Sequence, residues 1–270
     1  MNYRHIYHAG NFADVIKHLV TALCVDHLKK KENPFCVIDA HGGCGLYDLE
    51  SEQAQKTKEW ESGIGTLKDI QDTPDDLKIY LDLVSRDIEK NRYPGSPLII
   101  SRLIRASDRL IANELHPEDF KTLRTVLGPK KNARVTHLDA YECIRAHIPP
   151  PERRGLVLID PPFEEKDEFQ TLIRQMQEWK KRWPTGIYIV WYPIKAHLAV
   201  DGLKEAARGL GIEETWNVEI LLHPRDRPET FNGTGLIVFN APWQVPERIE
   251  ALLPLLKERL KLHACESRRL

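Results

Sequence analysis

The spacing of hydrophobic residues near the start of the chain predicts an amphipathic helix. Apolar side chains recur at intervals of three and four from Phe12 to Leu28, so they share one face of a helix over residues 12–28. Asn11 directly precedes this pattern and is a good N-cap, because its side-chain oxygen can accept from an otherwise unpaired backbone amide. Taken alone, the pair Lys17-His18 within the helix predicts no more than a solvated face.

Further along the chain, short apolar runs alternate with helical patterns. Helices are predicted near residues 97–106, 117–127, 140–147, 166–182, 200–210 and 245–262. Strands are predicted at residues 35–39, 110–114, 133–138, 155–160, 186–192, 216–223 and 233–240. This alternation predicts an α/β fold with a seven-stranded, mostly parallel sheet covered on both faces. The last two strands are expected to pair antiparallel, and residues 1–270 to form a single domain.

The stretch between the first two predicted strands is too long for one crossover. Residues 50–93 are polar and rich in Glu, Lys, Asp and Gln, and their apolar positions have helical spacing. We therefore expect an inserted helical subdomain that projects from the sheet.

Composition and charge narrow the class of protein. The 270-residue chain is 41% hydrophobic with a net charge of -1, so nucleic acid could be bound only through local basic patches. Its five cysteines form no CxxC pair, and no HExxH motif occurs, which argues against disulfides and a metal site. No apolar N-terminal segment or long apolar run is present. We expect a cytoplasmic protein without a membrane segment.

Acidic residues or glycines follow four consecutive predicted strands. The first strand runs into the glycine-rich turn at residues 39–45, and the next three are followed by Glu114, Asp139 and Asp160. Open α/β sheets bind ligands at the carboxyl ends of their strands. Each acid alone is typical of a helix N-cap, but the glycine turn and the three acids at four consecutive strand ends together favour an S-adenosylmethionine site. Glu114 could accept from two ribose hydroxyls, and Asp139 could contact an adenine amino group.

The turn Asp160-Pro161-Pro162-Phe163 is the most informative feature of the chain. Two prolines cannot extend a central strand, so the turn is rigid. It offers a carboxylate, outward-facing carbonyls and an aromatic ring, which together suit the amino group of a nucleobase. The alternative is a strand-ending turn with a capping aspartate.

Other ligand classes fit less well, and the N-terminal segment stays ambiguous. The glycine turn reads DxHxGxG rather than the GxGxxG of NAD-binding proteins, and the GxxxxGK[ST] motif of phosphoryl transfer does not occur. Residues 3–11 are dense in aromatic and histidine side chains. They predict either a lid, with residues 1–30 as lid and helix, or a strap packed on the core.

Several motifs resemble those of the RlmJ-type 23S ribosomal RNA adenine-N6 methyltransferases, and the resemblance covers nearly the whole chain. They are YRHxxHAGNxADVxKH at 3–18, DxHxGxGxY at 39–47, YPGSP at 93–97, NELHP at 113–117, DAYE at 139–142 and LIDPPF at 158–163. The resemblance implies a Rossmann-like class I methyltransferase that uses S-adenosylmethionine and releases S-adenosylhomocysteine. It also implies a monomer that methylates one adenine of naked or partly assembled 23S ribosomal RNA, without a metal.

The resemblance also implies the roles of individual residues. Cofactor contacts fall on His18, His41, Ser96, Glu114, Asp139, Ala140 and Asp160. Asp160 is implied to be the catalytic proton acceptor, and Tyr3, Lys17 and Phe163 to face the substrate. Two positions depart from the family pattern: Phe163 stands where tyrosine is commoner, and Ala140 where glycine is commoner.

Two other functions stay open at the level of sequence. The first is a DNA adenine-N6 methyltransferase, because the chemistry would be the same on a different polymer. The second is a non-catalytic nucleic-acid-binding protein that takes part in the use of external DNA.

Overall fold

The computed structural model describes residues 4–195, 197–225 and 231–270. Tyr3, which the resemblance implies to face the substrate, lies outside these residues. The α-helices are α1 (Phe12–Lys29), α2 (Glu52–Thr57), α3 (Glu59–Ser62), α4 (Asp75–Ile88), α5 (Ser96–Leu103), α6 (Pro117–Leu127), α7 (Ala140–His147), α8 (Glu168–Arg182), α9 (His197–Gly209) and α10 (Val245–Arg259). The strands are β1 (Cys36–Asp39), β2 (Leu46–Asp48), β3 (Arg92–Pro94), β4 (Arg109–Asn113), β5 (Ala133–Thr136), β6 (Gly155–Ile159), β7 (Ile187–Ile194), β8 (Trp216–Leu221), β9 (Gly233–Phe239) and β10 (Ala264–Arg269).

The main sheet confirms the predicted Rossmann-like α/β class. Its strand order is β5-β4-β1-β6-β7-β9-β8-β10. The pairs from β5 to β7 are parallel, and β9 pairs antiparallel with both β7 and β8. From β1 the strand order continues in two directions, to β4 and β5 on one side and to β6 and β7 on the other. Open α/β sheets bind ligands at such a switch point.

The sheet has one strand more than the seven predicted from sequence. Strand β10 pairs antiparallel with β8 at the end of the sheet. Its residues ACESRR lack the apolar alternation that marks a half-buried strand, and charged side chains are a usual feature of sheet edges. For that reason the hydrophobic pattern did not reveal it.

Residues 50–93 contain the expected helices. They hold α2, α3, a short 3-10 helix at Ile64–Leu67 and α4. Strands β2 and β3 pair antiparallel at the two ends of the segment and close its base. That it behaves as a subdomain stays a prediction.

Helix α1 is capped as expected, but its polar face is buried rather than exposed to solvent. The Asn11 side chain accepts a hydrogen bond from the Asp14 amide at 2.9 Å. Lys17 and His18 are only 4% and 1% exposed, so the expectation of a solvated face is wrong. These polar side chains instead face other polar groups inside the protein, as described below.

Two hydrophobic clusters cover the two faces of the sheet. Val37 belongs to one cluster and its neighbour Ile38 to the other, as strand alternation requires. This arrangement leaves the carboxyl edge of the sheet as the place for a polar site. No helix in the described parts of the chain is long and apolar enough to cross a bilayer.

Candidate active site

A cavity of about 320 Å³ lies at the carboxyl edge of β1, β4 and β6. This volume is within the usual range for small-molecule sites, about 300–1,000 Å³. It is lined by all seven residues implied to contact the cofactor, namely His18, His41, Ser96, Glu114, Asp139, Ala140 and Asp160, together with Lys17. The fold therefore brings together residues that are far apart in sequence, such as Lys17 and Asp160, which are separated by 143 positions.

The glycine turn after β1 forms one wall of the cavity. Gly43 has a φ of +59°, and a Cβ there would lie 2.0 Å from the Tyr47 hydroxyl oxygen. The Gly42 amide donates to the carbonyl of Asn113, at the end of β4, at 2.7 Å. Only glycine can hold this turn so close to its neighbours, which leaves backbone rather than side chain facing the cavity.

Glu114 braces the same turn. One of its carboxylate oxygens accepts from the Gly43 amide at 2.7 Å, and the other accepts from the His116 amide at 2.6 Å. Burial raises the pKa of Glu114, and the two amides act in the opposite direction. Each oxygen has a second lone pair for a ligand hydroxyl, so bracing the turn and binding a ribose are compatible roles.

Asp139 is a helix cap that also lines the cavity. One of its oxygens accepts from the Tyr141 and Glu142 amides at 2.9 and 3.1 Å, at the start of α7. The helix-cap interpretation from sequence is therefore confirmed, and contact with an adenine amino group stays a prediction. Its second oxygen is not used by the cap.

Lys17 lies between two carboxylates. Its ammonium is 2.8 Å from Asp14 Oδ1 and also forms a short ion pair with Asp160. Burial alone would lower the pKa of Lys17, but the two carboxylates raise it above its usual value. The lysine therefore stays charged and holds the Asp160 side chain at the end of β6.

His41 lines the cavity beside Asp160, and Asp39 is buried at the end of β1. The Asp160 amide donates to His41 Nδ1 at 3.1 Å, and burial lowers the pKa of His41 to about 4. His41 is thus neutral, with its proton on Nε2. Burial also raises the pKa of Asp39, which is fully enclosed, to about 7.

Phe163 does not line the cavity. Its ring packs against Phe169 and Trp191, with centroids 4.9 and 5.7 Å apart. Its φ is +52°, a left-handed conformation that is uncommon and costly for an aromatic residue. Stacking of Phe163 on a substrate base stays a prediction.

The segment before α1 contributes a lining residue that sequence reasoning missed. His5 lines the cavity, and its Nε2 lies 2.8 Å from Asp14 Oδ2. Arg4 forms an ion pair with Glu118 at 2.9 Å, across the start of α6. The density of histidines in this segment was the available signal, but the partner of His5 is visible only in three dimensions.

The donors and acceptors of the cavity fit S-adenosylmethionine. Glu114 and Asp139 offer acceptors for a ribose diol and an amino group, and the backbone turn at Gly43 allows close approach. Further carboxylates on Asp119, Glu164, Glu165 and Glu168 make the lining predominantly acidic, which suits a sulfonium cation. Within the described residues, no group of histidine, cysteine and acidic side chains is arranged to hold a metal ion.

Comparisons with known proteins agree in pointing to one family. A family model described as "Ribosomal RNA large subunit methyltransferase D, RlmJ" matches residues 32–269. Two relatives named "Ribosomal RNA large subunit methyltransferase J" are similar over 96% of this chain and 94% of their own length. They are the proteins of Haemophilus influenzae, 37% identical, and of Escherichia coli, 38% identical.

A solved structure supports the fold over the whole molecule. The protein LPL1258 of Legionella pneumophila superposes with a TM-score of 0.88 at 30% sequence identity. The match covers 97% of both chains, so it must include most of residues 50–93 as well as the sheet.

Proposed function

We propose that this protein, which belongs to the RlmJ family of large-subunit ribosomal RNA methyltransferases, methylates the N6 amino group of an adenine in 23S ribosomal RNA. The methyl donor is S-adenosylmethionine, which supplies an electrophilic methyl group when bound. The observation that carries the proposal is that Asp160 lines one cavity together with all the other residues of the predicted cofactor set.

Asp160 supports methyl transfer by accepting a hydrogen of the target amine. The lone pair of an adenine amino group is delocalised into the ring, so the group is a poor nucleophile. Asp160 and the Pro161 carbonyl can each accept a hydrogen bond from the amino group, which favours a pyramidal nitrogen with an available lone pair. Both residues line the cavity. Positioning and electrostatics of this kind supply most of the acceleration in group transfer without a covalent intermediate.

Lys17 fixes the direction of the Asp160 side chain. Its ammonium pairs with one Asp160 oxygen and holds the carboxylate in place. The other oxygen is available to the amine. The amine proton can move to Asp160 during or after methyl transfer. Removal of this proton before the attack on the methyl group is not required.

The substrate reaches the cavity as an extruded or unpaired base. The amino group of a paired adenine is hidden in the duplex, so an enzyme must take the base out of the stack. The acidic lining of the cavity disfavours entry of phosphates. A base is easier to extrude where the RNA is not yet enclosed by ribosomal proteins, so we propose naked or partly assembled 23S RNA as the substrate. We also propose that the enzyme is a monomer and acts in the cytoplasm.

Methylation assays on matched polymers test this function. The purified protein is incubated with methyl-labelled S-adenosylmethionine and a 23S transcript, the assembled large subunit, or a DNA duplex of the same sequence. We expect the label in N6-methyladenosine of the 23S transcript, with little in the DNA or the assembled subunit. Equal labelling of the DNA would instead support the DNA methyltransferase. Cofactor binding without labelling of any polymer would contradict a catalytic role on these substrates.

A further inference from the structure

A chain of buried hydrogen bonds links residues 50–93 to the cavity. The hydroxyl of Tyr80, on α4, lies 3.0 Å from the hydroxyl of Tyr93, on β3. The Tyr93 hydroxyl lies 2.6 Å from His18 Nδ1, and the two rings stack with centroids 5.7 Å apart. Both tyrosines are fully buried, and His18 is 1% exposed yet lines the cavity.

The surroundings of His18 decide the direction of these hydrogen bonds. Burial lowers the pKa of His18 to about 3, so its ring is neutral and has one donor and one acceptor nitrogen. Asp14 Oδ1 lies 3.9 Å from Nε2, too far for a hydrogen bond but close enough to favour a proton there. Nδ1 is then the acceptor, so Tyr93 donates to it and Tyr80 donates to Tyr93.

We propose that Tyr93, supported by Tyr80, is a positioning residue that fixes the ring of His18 as the Nε2–H tautomer and presents this donor to the cofactor. The inference rests on the proposed function in one respect, namely that the acceptor is an oxygen of S-adenosylmethionine. A hydrogen bond on the far nitrogen of a histidine commonly sets its tautomer and ring orientation in this way.

Residues 50–93 thereby support a residue of the cofactor cavity, namely His18. The segment carries eleven Asp and Glu residues against seven Lys and Arg residues, so its charge does not suit binding of phosphates. Its α4 instead supplies Tyr80, the first donor of the chain. The helix thereby supports the cofactor cavity from behind.

Conservative variants and two independent measurements test the inference. Tyr93→Phe and Tyr80→Phe each remove one hydroxyl from the chain. Tyr188→Phe is the matched control, because its hydroxyl is also buried but donates to the carbonyls of Trp179 and Trp183. Nitrogen NMR of the histidine-labelled protein reports the tautomer of His18, assigned with a His18→Asn variant. Calorimetry reports the affinity for S-adenosylmethionine.

We expect Nδ1 of His18 to be unprotonated in the parent protein, and its resonance to move in Tyr93→Phe. The dissociation constant for S-adenosylmethionine should rise about fivefold to tenfold, as expected for one lost hydrogen bond. Tyr80→Phe should act in the same direction but less, and the double variant should match Tyr93→Phe. Tyr188→Phe should leave both measurements unchanged.

Either measurement can overturn the inference. A proton on Nδ1 in the parent would reverse the chain of donors. Unchanged cofactor affinity in both Tyr93→Phe and Tyr80→Phe would reduce the tyrosines to packing. Failure of the proposed function is distinguishable, because the parent protein would then not bind S-adenosylmethionine or not methylate RNA. The tautomer of His18 is measured without the cofactor.

Discussion

The ammonium of Lys17 on α1 pairs with the carboxylate of Asp160 after β6, although the two residues are 143 positions apart. The same ammonium contacts Asp14 one turn earlier on its own helix. One buried cation thus holds two carboxylates, of which Asp160 faces the cavity. This pairing connects the helix that begins the fold to the turn where we place the chemistry.

Replacing Lys17 by methionine should remove this control of Asp160. Asp14 would then face Asp160 without a cation between them, and the Asp160 side chain would lose the ion pair that holds it in place. We expect the methylation rate to fall by about tenfold or more, because the acceptor oxygen is misplaced. Lys17→Arg keeps the charge and should retain more activity. A Lys17→Met variant that methylates at the parental rate would rule out this role.

Glu114→Gln and Glu114→Ala separate the two roles of this residue. The alanine variant loses both the bracing of the Gly43 amide and the ligand acceptor, so cofactor binding should weaken by about 1.5–3 kcal/mol. The glutamine variant keeps one carbonyl oxygen and should lose less. Calorimetric titration with S-adenosylmethionine measures both. A fall in RNA affinity with unchanged cofactor affinity would show that Glu114 belongs to the substrate site instead.

Phe163 tests whether the aromatic ring of the turn serves the base. Phe163→Tyr restores the commoner residue and should keep activity within a few-fold of the parent. Phe163→Ala should lower the single-turnover rate at saturating RNA by about 100-fold, the scale for misplacement by about 1 Å. Cofactor affinity should be unaffected, because Phe163 does not line the cavity. If the alanine variant reacts at the parental rate, the ring only packs against Trp191.

Asp39 predicts a pH dependence of stability. Burial raises its pKa in the folded protein to about 7, from an ordinary value of 3.8. Between these values the folded state binds more protons than the unfolded state, so the free energy of unfolding falls as pH rises. Asp39→Asn lacks this titration, and its Tm relative to the parent should increase from pH 5 to pH 8. Asp69→Asn, an exposed control, should show no such change. A constant Tm difference for Asp39→Asn would contradict the shifted pKa.

The sequence was most informative where function depends on strand ends. Asp160, Glu114 and Asp139 follow apolar runs, so their meeting at one edge of the sheet was predictable. The buried polar face of α1 was not, because Lys17 and His18 find their partners Asp160 and Tyr93 far away in sequence. The position of the Phe163 ring depends on a positive φ, which no periodicity reveals. Strand β10 was not predicted because its residues are largely charged or polar.

Mass spectrometry of nucleosides from 23S ribosomal RNA tests the central claim most directly. RNA is compared from a strain lacking the gene and from the same strain complemented with the parent protein or with Asp160→Asn. The amide of asparagine accepts through only one oxygen and has no negative charge to receive a proton. We predict that deletion removes one N6-methyladenosine, that the parent restores it, and that Asp160→Asn fails although the variant is folded and binds S-adenosylmethionine. Full restoration by Asp160→Asn, or unchanged N6-methyladenosine after deletion, would contradict the account.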